Sequence, residues 1–502
     1  MKKILYSLSD LEDWNEVVEI MKHKHQWVPA YWIHNEKAIK QLEVSYRKTI
    51  FHSFLHLNRG LYAEKYYGYI KPLDEKVIKD FLSVEHNFMS LVNRHDPYRS
   101  LRYNERLKLY YRLLVYWLSV INELKIDLVL LTESPHSAGQ YILYSVAKYL
   151  KVPTLMFSST SMPGLVYLKE NIEDTPEDLQ IMQSNDIKKT LQVENAIHEY
   201  IQSLTRSEEN SNPVWYMNYQ KNSFMERRKF ITRLKSAIMM IFIQKNYFGN
   251  KYYFKIPKKS LSLTRYNRLE GVKWNRYSFK FLKELEKYYL KITTNPNQDE
   301  KYVFFPLHYQ PERTTNPEGG FYENQLLVIK LISDALPEDT RLYVKEHPSQ
   351  FLIRNGVMGR SKSYYDEIST LSNVRLIDYR IDSKYLINRC ETVITVTGTA
   401  ALEAVFSFKP ALIFGYPWFK LCPGVHSIRG IKSLKYFFEN LTSVEKPTID
   451  ELRRYFLHNG RYFNFIYLNP SNKSSLNISR EVNIKNITEM LSSYVSKKQF
   501  QN

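Results

Sequence analysis

The chain has 502 residues, of which 44% are hydrophobic and 25% charged, globular values at a length that needs two or three domains. Its formal net charge of +19 implies attraction to nucleic acid, to an anionic membrane leaflet or to anionic sugar nucleotides and polymers, unless the lysines are only scattered over a solvated surface. Two cysteines, Cys390 and Cys422, exclude a disulfide framework and a Cys-based zinc site, and neither a signal h-region nor a run of roughly 18 uncharged apolar residues occurs, so a cytoplasmic protein is expected, free or peripheral on the inner face of the plasma membrane.

Residues 3–8 read as a first strand, Trp14 to Lys24 as a helix and Val28 to Ile33 as a second strand. Residues 36–120 are dense in Tyr, Arg and Lys and read as helical. Within them Leu107, Tyr110, Leu114, Trp117, Leu118, Ile121 and Leu124 recur at helical spacing. Asp127 to Leu131 is a buried strand, Gly139 to Leu150 a helix and Val152 to Phe157 a strand, which is the grammar of a parallel sheet. From about 168 to 225 the chain is polar without strand patterns. Residues 226–258 interleave apolar and cationic side chains. This pattern suits peripheral contact with an anionic bilayer, or an interdomain helix with its Ile/Met face against protein. Trp274 to Thr293 is a helix, followed by a turn-rich linker.

A second α/β rhythm starts at Lys301. Strands are expected at Tyr302–Leu307, Arg341–Lys345, Val374–Leu376, Val393–Val396 and Pro410–Phe414. Helices are expected at Glu323–Leu336, Ser383–Arg389 and Ala400–Phe406. The tail after about 445 reads as helical and polar, packing back on the body. The expected class is α/β, with two Rossmann-like domains facing each other across a cleft and a helical insert. The division is 1–215 (insert 36–120), a basic amphipathic and helical linker region 216–295, a second Rossmann-like domain 296–445, and a helical tail 446–502.

The chemistry gathers at strand ends, the rim where open α/β sheets bind ligands. Thr397-Gly398-Thr399 lies at a strand-to-helix switch, where glycine admits a close phosphate and free N–H groups favour an anion. The bland alternative is a tight turn with Thr399 as N-cap. Glu403, one turn on, suits a ribose diol or simply complements the helix dipole. Lys345-Glu346-His347-Pro348 holds His347 extended at a strand exit, able to donate to a phosphate, with Lys345 supplying charge. His308, Gln310, Glu312 and Arg313 crowd the loop after another strand. Glu312 and His308 are candidate acid/base groups, and Arg313 and Gln310 candidate nucleotide ligands. Glu133 and His136 hold the matching place in the N-terminal half, where an acceptor-side base belongs. No Walker A, Gly-x-Gly-x-x-Gly, His-Glu-x-x-His or Asp-x-Asp pattern occurs. A reaction without metal must then neutralise a leaving phosphate with His, Lys, Arg and backbone donors. No RNA-binding aromatic signature or basic recognition helix stands out, so nucleic acid is not an expected partner.

Val344-Lys345-Glu346-His347-Pro348, the run Thr395 to Ala404 and Phe408-Lys409-Pro410 resemble bacterial capsule polysaccharide biosynthesis proteins. These include Kdo transferases with a glycosyltransferase-B fold, and the resemblance covers mainly 300–415. The His-Pro pair is also similar to motifs of bacterial polysialyltransferases and teichoic-acid glycerophosphotransferases. The resemblance implies a glycosyltransferase with a nucleotide-sugar donor, a CMP-linked sugar such as CMP-Kdo favoured, and a glycan or lipid-linked glycan acceptor. It implies donor phosphate on His347 and Thr397 to Thr399 and ribose beside Glu403. With no Asp-x-Asp pattern in the chain, neither a metal nor another cofactor is expected. A glycerophosphotransferase, a sugar-nucleotide 2-epimerase and a degenerate binding or export-associated protein stay open as alternatives.

Overall fold

The computed structural model describes residues 1–96, 101–182, 187–205, 268–469, 473, 476 and 478–499. The cationic stretch 226–258 lies outside the described residues. The chain divides into two compact units. One comprises Met1–Val92, Tyr103–Tyr200 and Arg453–Asn502, the other Asn93–Arg102 and Ile201–Leu452.

The first unit is built on strands β1 (Lys2–Ser7), β2 (Trp27–His34), β3 (Ile50–Ser53), β4 (Leu128–Leu131), β5 (Thr154–Ser159) and β6 (Leu165–Lys169). They lie in the order β6-β5-β4-β1-β2-β3, with the strand Asn464–Phe465 beyond β6. Neighbours among β1 to β5 pair in parallel. β6 is antiparallel to β5, and Asn464–Phe465 is antiparallel to β6. The parallel part thus has the order 3-2-1-4-5 of a doubly wound nucleotide-binding fold. Every residue of β4 is buried, as a strand covered on both faces requires.

Four strands among the described residues escape the sequence pattern: β3, β6, Asn464–Phe465 in the tail and, in the second unit, Val425–Ser427. β3 falls inside the stretch expected to be a helical insert. Its four residues include His52, whose Nδ1 lies 2.6 Å from the Tyr31 hydroxyl, and a buried histidine interrupts the apolar run that would mark a strand. β6 overlaps the stretch read as strandless. It ends in buried Lys169, whose ammonium donates to the Ile172 carbonyl at 3.0 Å.

The tail is more than a helix lying on the body, because it supplies the edge strand. Its helix Arg480–Gln499 sends Ile484, Ile487, Met490, Leu491 and Tyr494 into one core with Trp14, Val17, Val18 and Met21. Asp13 opens the helix Asp13–His25 and accepts from Asn483 Nδ2 at 3.0 Å.

The second unit contains β7 (Lys301–Pro306), β8 (Thr340–Lys345), β9 (Val374–Ile377), β10 (Val393–Thr395), β11 (Ala411–Ile413) and β12 (Val425–Ser427). The order is β12-β11-β10-β7-β8-β9, all parallel. Counted within the unit this is 3-2-1-4-5-6, the doubly wound order in full. The helix Arg268–Ile292 is no linker. It places Leu285 and Tyr289 in the core with Val303, Val344 and Ile394. Its dense Lys and Glu mark only the solvent face.

Leu491 is fully buried, whereas Val482 on the same helix is 44% exposed. Leu491→Ala is expected to cost about 2–5 kcal/mol and Val482→Ala less than ~0.5 kcal/mol. Urea unfolding of the two variants checks the difference.

Candidate functional site

β7 and β10 are the adjacent strands at which the order of the second sheet reverses, and ligands of doubly wound folds bind outside the carboxyl ends of such a pair. Both carboxyl ends carry polar side chains, and these touch. His308 Nε2 lies 3.1 Å from Thr395 Oγ1 and accepts the Thr397 N–H at 3.4 Å. A ring nitrogen that accepts from an amide carries no hydrogen, so the neutral ring keeps its proton on Nδ1. Nδ1 faces Glu312 Oε2 at 2.9 Å. The order Glu312–His308–Thr395 imitates a nucleophilic triad, but Thr395 is fully buried and Gly398 N–H donates to its hydroxyl at 3.2 Å. The threonine locks the ring to the end of β10 and is closed to a substrate.

Burial alone would raise the Glu312 carboxyl. The hydrogen bond from His308, the charges of His308 and His347 and a hydrogen bond from Thr314 outweigh it, so the carboxyl sits below its ordinary range. Glu312 is therefore ionised at neutral pH.

Two buried glutamines shape the loop that carries these groups. Gln325 opens the helix Gln325–Ala335, accepts the His308 N–H at 2.7 Å and donates to the His308 carbonyl at 3.0 Å. Gln350 accepts the Gln310 N–H at 2.7 Å and donates to the Gln310 carbonyl at 3.3 Å. Each side-chain amide replaces a strand partner where the sheet has ended. Gln310 spends its own amide inside the loop, donating to Thr315 Oγ1 at 2.7 Å and accepting the Glu312 N–H at 3.2 Å. Arg313 follows on the same loop, half-buried.

His347 leaves β8, and β7 separates β8 from β10. The expected adjacency of the His347 and Thr397-Gly398-Thr399 strand ends is thus indirect, made through the β7 loop. The His347 ring centroid is 5.5 Å from that of Tyr309. Nδ1 accepts the Ser349 N–H at 3.1 Å, so the neutral ring carries its hydrogen on Nε2, which has no hydrogen-bond partner among the described residues. Burial lowers its pKa to about 4, Glu312 opposing and His308 and Lys345 reinforcing the shift.

The strand-to-helix switch differs from its sequence reading. The N–H groups of Thr397 and Gly398 are taken by His308 and Thr395, and Thr397 Oγ1 donates to the Thr314 carbonyl at 3.3 Å. A Cβ on Gly398 would stand 2.7 Å from Thr395 Oγ1 and 3.2 Å from His308 Cε1, so glycine is required first by the Thr395 hydroxyl and then by the His308 ring bonded to it. Thr399 already has helical backbone angles and makes no side-chain cap to the seven-residue helix Ala400–Phe406.

Lys345 is also turned to another use. Its ammonium donates to the Ile381 carbonyl at 2.7 Å and to Ser383 Oγ at 2.5 Å, tying β8 to the chain after β9. Burial lowers its pKa to about 8 against the pull of Asp382, Glu403 and Asp378. Burial raises Glu403 to about 7 against Lys345 and Lys384, with Asp382 adding to the rise. Lys345 and Glu403 thus form a second charged group, apart from the group His308, Glu312, His347, Thr397 and Gly398.

In the first unit the reversal lies between β1 and β4. Ser9 N–H donates to Thr132 Oγ1 at 2.7 Å and Gln140 Nε2 to Ser7 Oγ at 2.9 Å. Glu133 and His136 sit on the loop after β4, with His136 Nε2 3.4 Å from Glu133 Oε1 and Nδ1 2.9 Å from the Ser134 carbonyl. Thr395, Gln325 and Gln350 were not singled out from sequence. Polar residues within otherwise apolar strand and helix starts are the only trace they leave.

Residues 241–445 match the sequence profile of the family described as capsule polysaccharide biosynthesis protein. The stretch contains the segment 300–415 on which the resemblance was read, and bears it out there. No curated protein matches at a significant level. Among solved structures, the chain is similar to the KpsC beta Kdo 2,7 transferase of Thermosulfurimonas dismutans, with 11% identity, 74% of this chain and 87% of that chain covered, and a TM-score of 0.29. It is also similar to the UDP-GlcNAc 2-epimerase of Methanocaldococcus jannaschii (11% identity, 90% and 95% covered, TM-score 0.25). A third is Anabaena HepE in complex with UDP-glucose (10%, 99% and 100%, TM-score 0.23). At these scores the three likenesses carry no argument about substrate.

The shifts have opposite consequences for stability. The native His347 pKa lies below its ordinary 6.5, so its contribution is intact above 6.5 and is lost as pH falls towards about 4. Glu403, raised from 4.5 to about 7, disfavours the native state as pH rises through that window. Taking the difference between wild type and His347→Gln removes the Glu403 effect. From pH 7 to pH 5 the wild type is expected to lose about 1–2 kcal/mol more than the variant, read from urea midpoints.

Proposed function

We propose that this chain, whose residues 241–445 carry the capsule polysaccharide biosynthesis sequence, is a glycosyltransferase of capsule or other surface polysaccharide synthesis. Its donor is a nucleotide sugar, with a CMP-linked sugar such as CMP-Kdo favoured, and its acceptor is a glycan or lipid-linked glycan. The observation that carries the reading is the His308–Glu312–His347 group at the switch point of the second sheet, inside the matched stretch.

In such a transfer the bond between the sugar's anomeric carbon and the phosphate oxygen breaks. A new bond forms to the acceptor oxygen, and negative charge accumulates on the departing CMP. Donors aimed at that phosphate lower the barrier. Nε2–H of the neutral His347 is one such donor. A phosphate beside it raises its affinity for a proton, so donor binding draws a proton onto the ring. Ionised Glu312 holds the Nδ1 hydrogen of His308 and balances positive charge gathered on either imidazole. The acceptor hydroxyl must give up its proton to a general base. The scheme is written with imidazole and carboxylate groups alone, and no metal is assigned a part in it. Among the described residues no helix is long and apolar enough to cross a membrane. Attachment to an anionic membrane surface is part of the proposal and follows from the net charge of +19.

With CMP-Kdo and a capsular acceptor, CMP release is expected in the presence of EDTA. His347→Ala and Glu312→Gln should each lower kcat/KM by about 100-fold or more, with unchanged circular dichroism. Undiminished turnover in both variants sinks the site assignment. Turnover of CDP-glycerol in place of CMP-Kdo replaces the reading with a glycerophosphotransferase, and acceptor-independent conversion of UDP-GlcNAc replaces it with an epimerase.

A further inference from the structure

Glu346 stands between Lys345 and His347, is fully buried and makes no use of the charge of Lys345. Its Oε2 accepts Arg360 Nε at 2.8 Å and the Tyr365 hydroxyl at 2.8 Å. Its Oε1 accepts the His347 N–H at 2.8 Å, and its own N–H donates to the Tyr289 hydroxyl at 2.9 Å. Arg360, 5% exposed, reaches the other way. Nη2 donates to the His308 carbonyl at 2.8 Å and Nη1 to the Gly359 carbonyl at 3.0 Å. Its guanidinium lies 4.4 Å from the centre of the Tyr364 ring. The residue before it, Gly359, packs so closely on the loop after β7 that a Cβ would stand 2.4 Å from the Gln310 carbonyl oxygen. One buried ion pair therefore touches the backbone of both His308 and His347.

A buried ion pair gains little stability over apolar side chains of the same size. Stability therefore does not account for one here, whereas its reach to two separate loops does. We infer that Glu346 and Arg360 are positioning residues, a strut that sets the distance between the His308 and His347 imidazoles across the donor phosphate. The inference rests on the glycosyltransferase reading for the donor phosphate and the activity readout, but not for the fixing of the two rings. Neither side chain is assigned contact with substrate. Both act through the peptide groups of the two histidines, and a displacement of about 1 Å there costs on the order of 100-fold in rate.

The test uses the full chain with Arg360→Lys and with the double variant Glu346→Gln/Arg360→Met, which leaves no orphaned buried charge. Thermal melting reports folding, initial rates with CMP-Kdo separate kcat from KM, and 15N spectra of histidine-labelled protein report the His347 tautomer. The expected result is a folded protein whose kcat falls by at least ~30-fold while KM changes by less than threefold. The single Nε2–H tautomer of His347 should give way to an exchanging mixture. The inference is overturned by folded variants with wild-type kcat and an unchanged His347 spectrum. Unfolding of both variants overturns it too, because the pair would then be structural and no more. If the wild type does not cleave CMP-Kdo, the functional reading fails, and the His347 spectrum still decides whether the strut fixes the ring.

Discussion

In a doubly wound sheet the chain leaves the first and fourth strands towards opposite faces, and a gap opens between their carboxyl ends. In the second unit His308 fills that gap from the β7 side and is held there by Thr395 and the Thr397 amide from the β10 side. The contact decides several other features. It sets the tautomer of His308, aims Nδ1 at Glu312, makes glycine necessary at position 398 and uses the amides that a sequence reader would offer to a phosphate. The loop after β7 can hold this course because Gln325 and Gln350 give its peptide groups the partners that the ended sheet withholds.

The electrostatics of the unit separate into two groups with different logic. Around Glu312 the carboxylate wins over burial because two imidazoles and a hydroxyl hydrogen bond surround it. His347 loses its proton instead, since solvent is withdrawn from a ring that gains only one opposing charge. The result is a fixed anion, Glu312, near the neutral His347 ring, an arrangement able to accept a proton when a second anion arrives. Around Lys345 and Glu403 burial dominates both partners, and the two pKa values approach each other at about 8 and 7. That group is tied to the chain after β9 by hydrogen bonds of Lys345 to Ile381 and Ser383.

Much of the architecture was legible in the sequence. Strands such as Leu128–Leu131 and Tyr302–Phe305 are short, fully apolar runs that only a sheet covered on both faces accommodates, and the helices Ser383–Arg389 and Ala400–Phe406 begin and end where their sequence patterns do. β3 and β6 were illegible because each buries a polar side chain: His52 meets Tyr31 only through the fold, and Lys169 is satisfied by the Ile172 carbonyl only once the turn after β6 has formed. The helix Arg268–Ile292 read as a linker because charge on its outer face conceals the few core contacts of Leu285 and Tyr289.

At the site, the sequence by itself determined which strand exits carry imidazole, carboxylate and amide groups, because residue type and the alternation of strands with helices are local properties. His308, Glu312 and His347 were found in that way. The tertiary structure alone decided that β7 runs between β8 and β10, that Lys345 turns to Ser383 and that position 398 has no room for a side chain beside Thr395 and His308. It alone decided that Glu346 meets Arg360. Strand order and side-chain partnership are set by packing between residues far apart in the chain, and no local pattern encodes them.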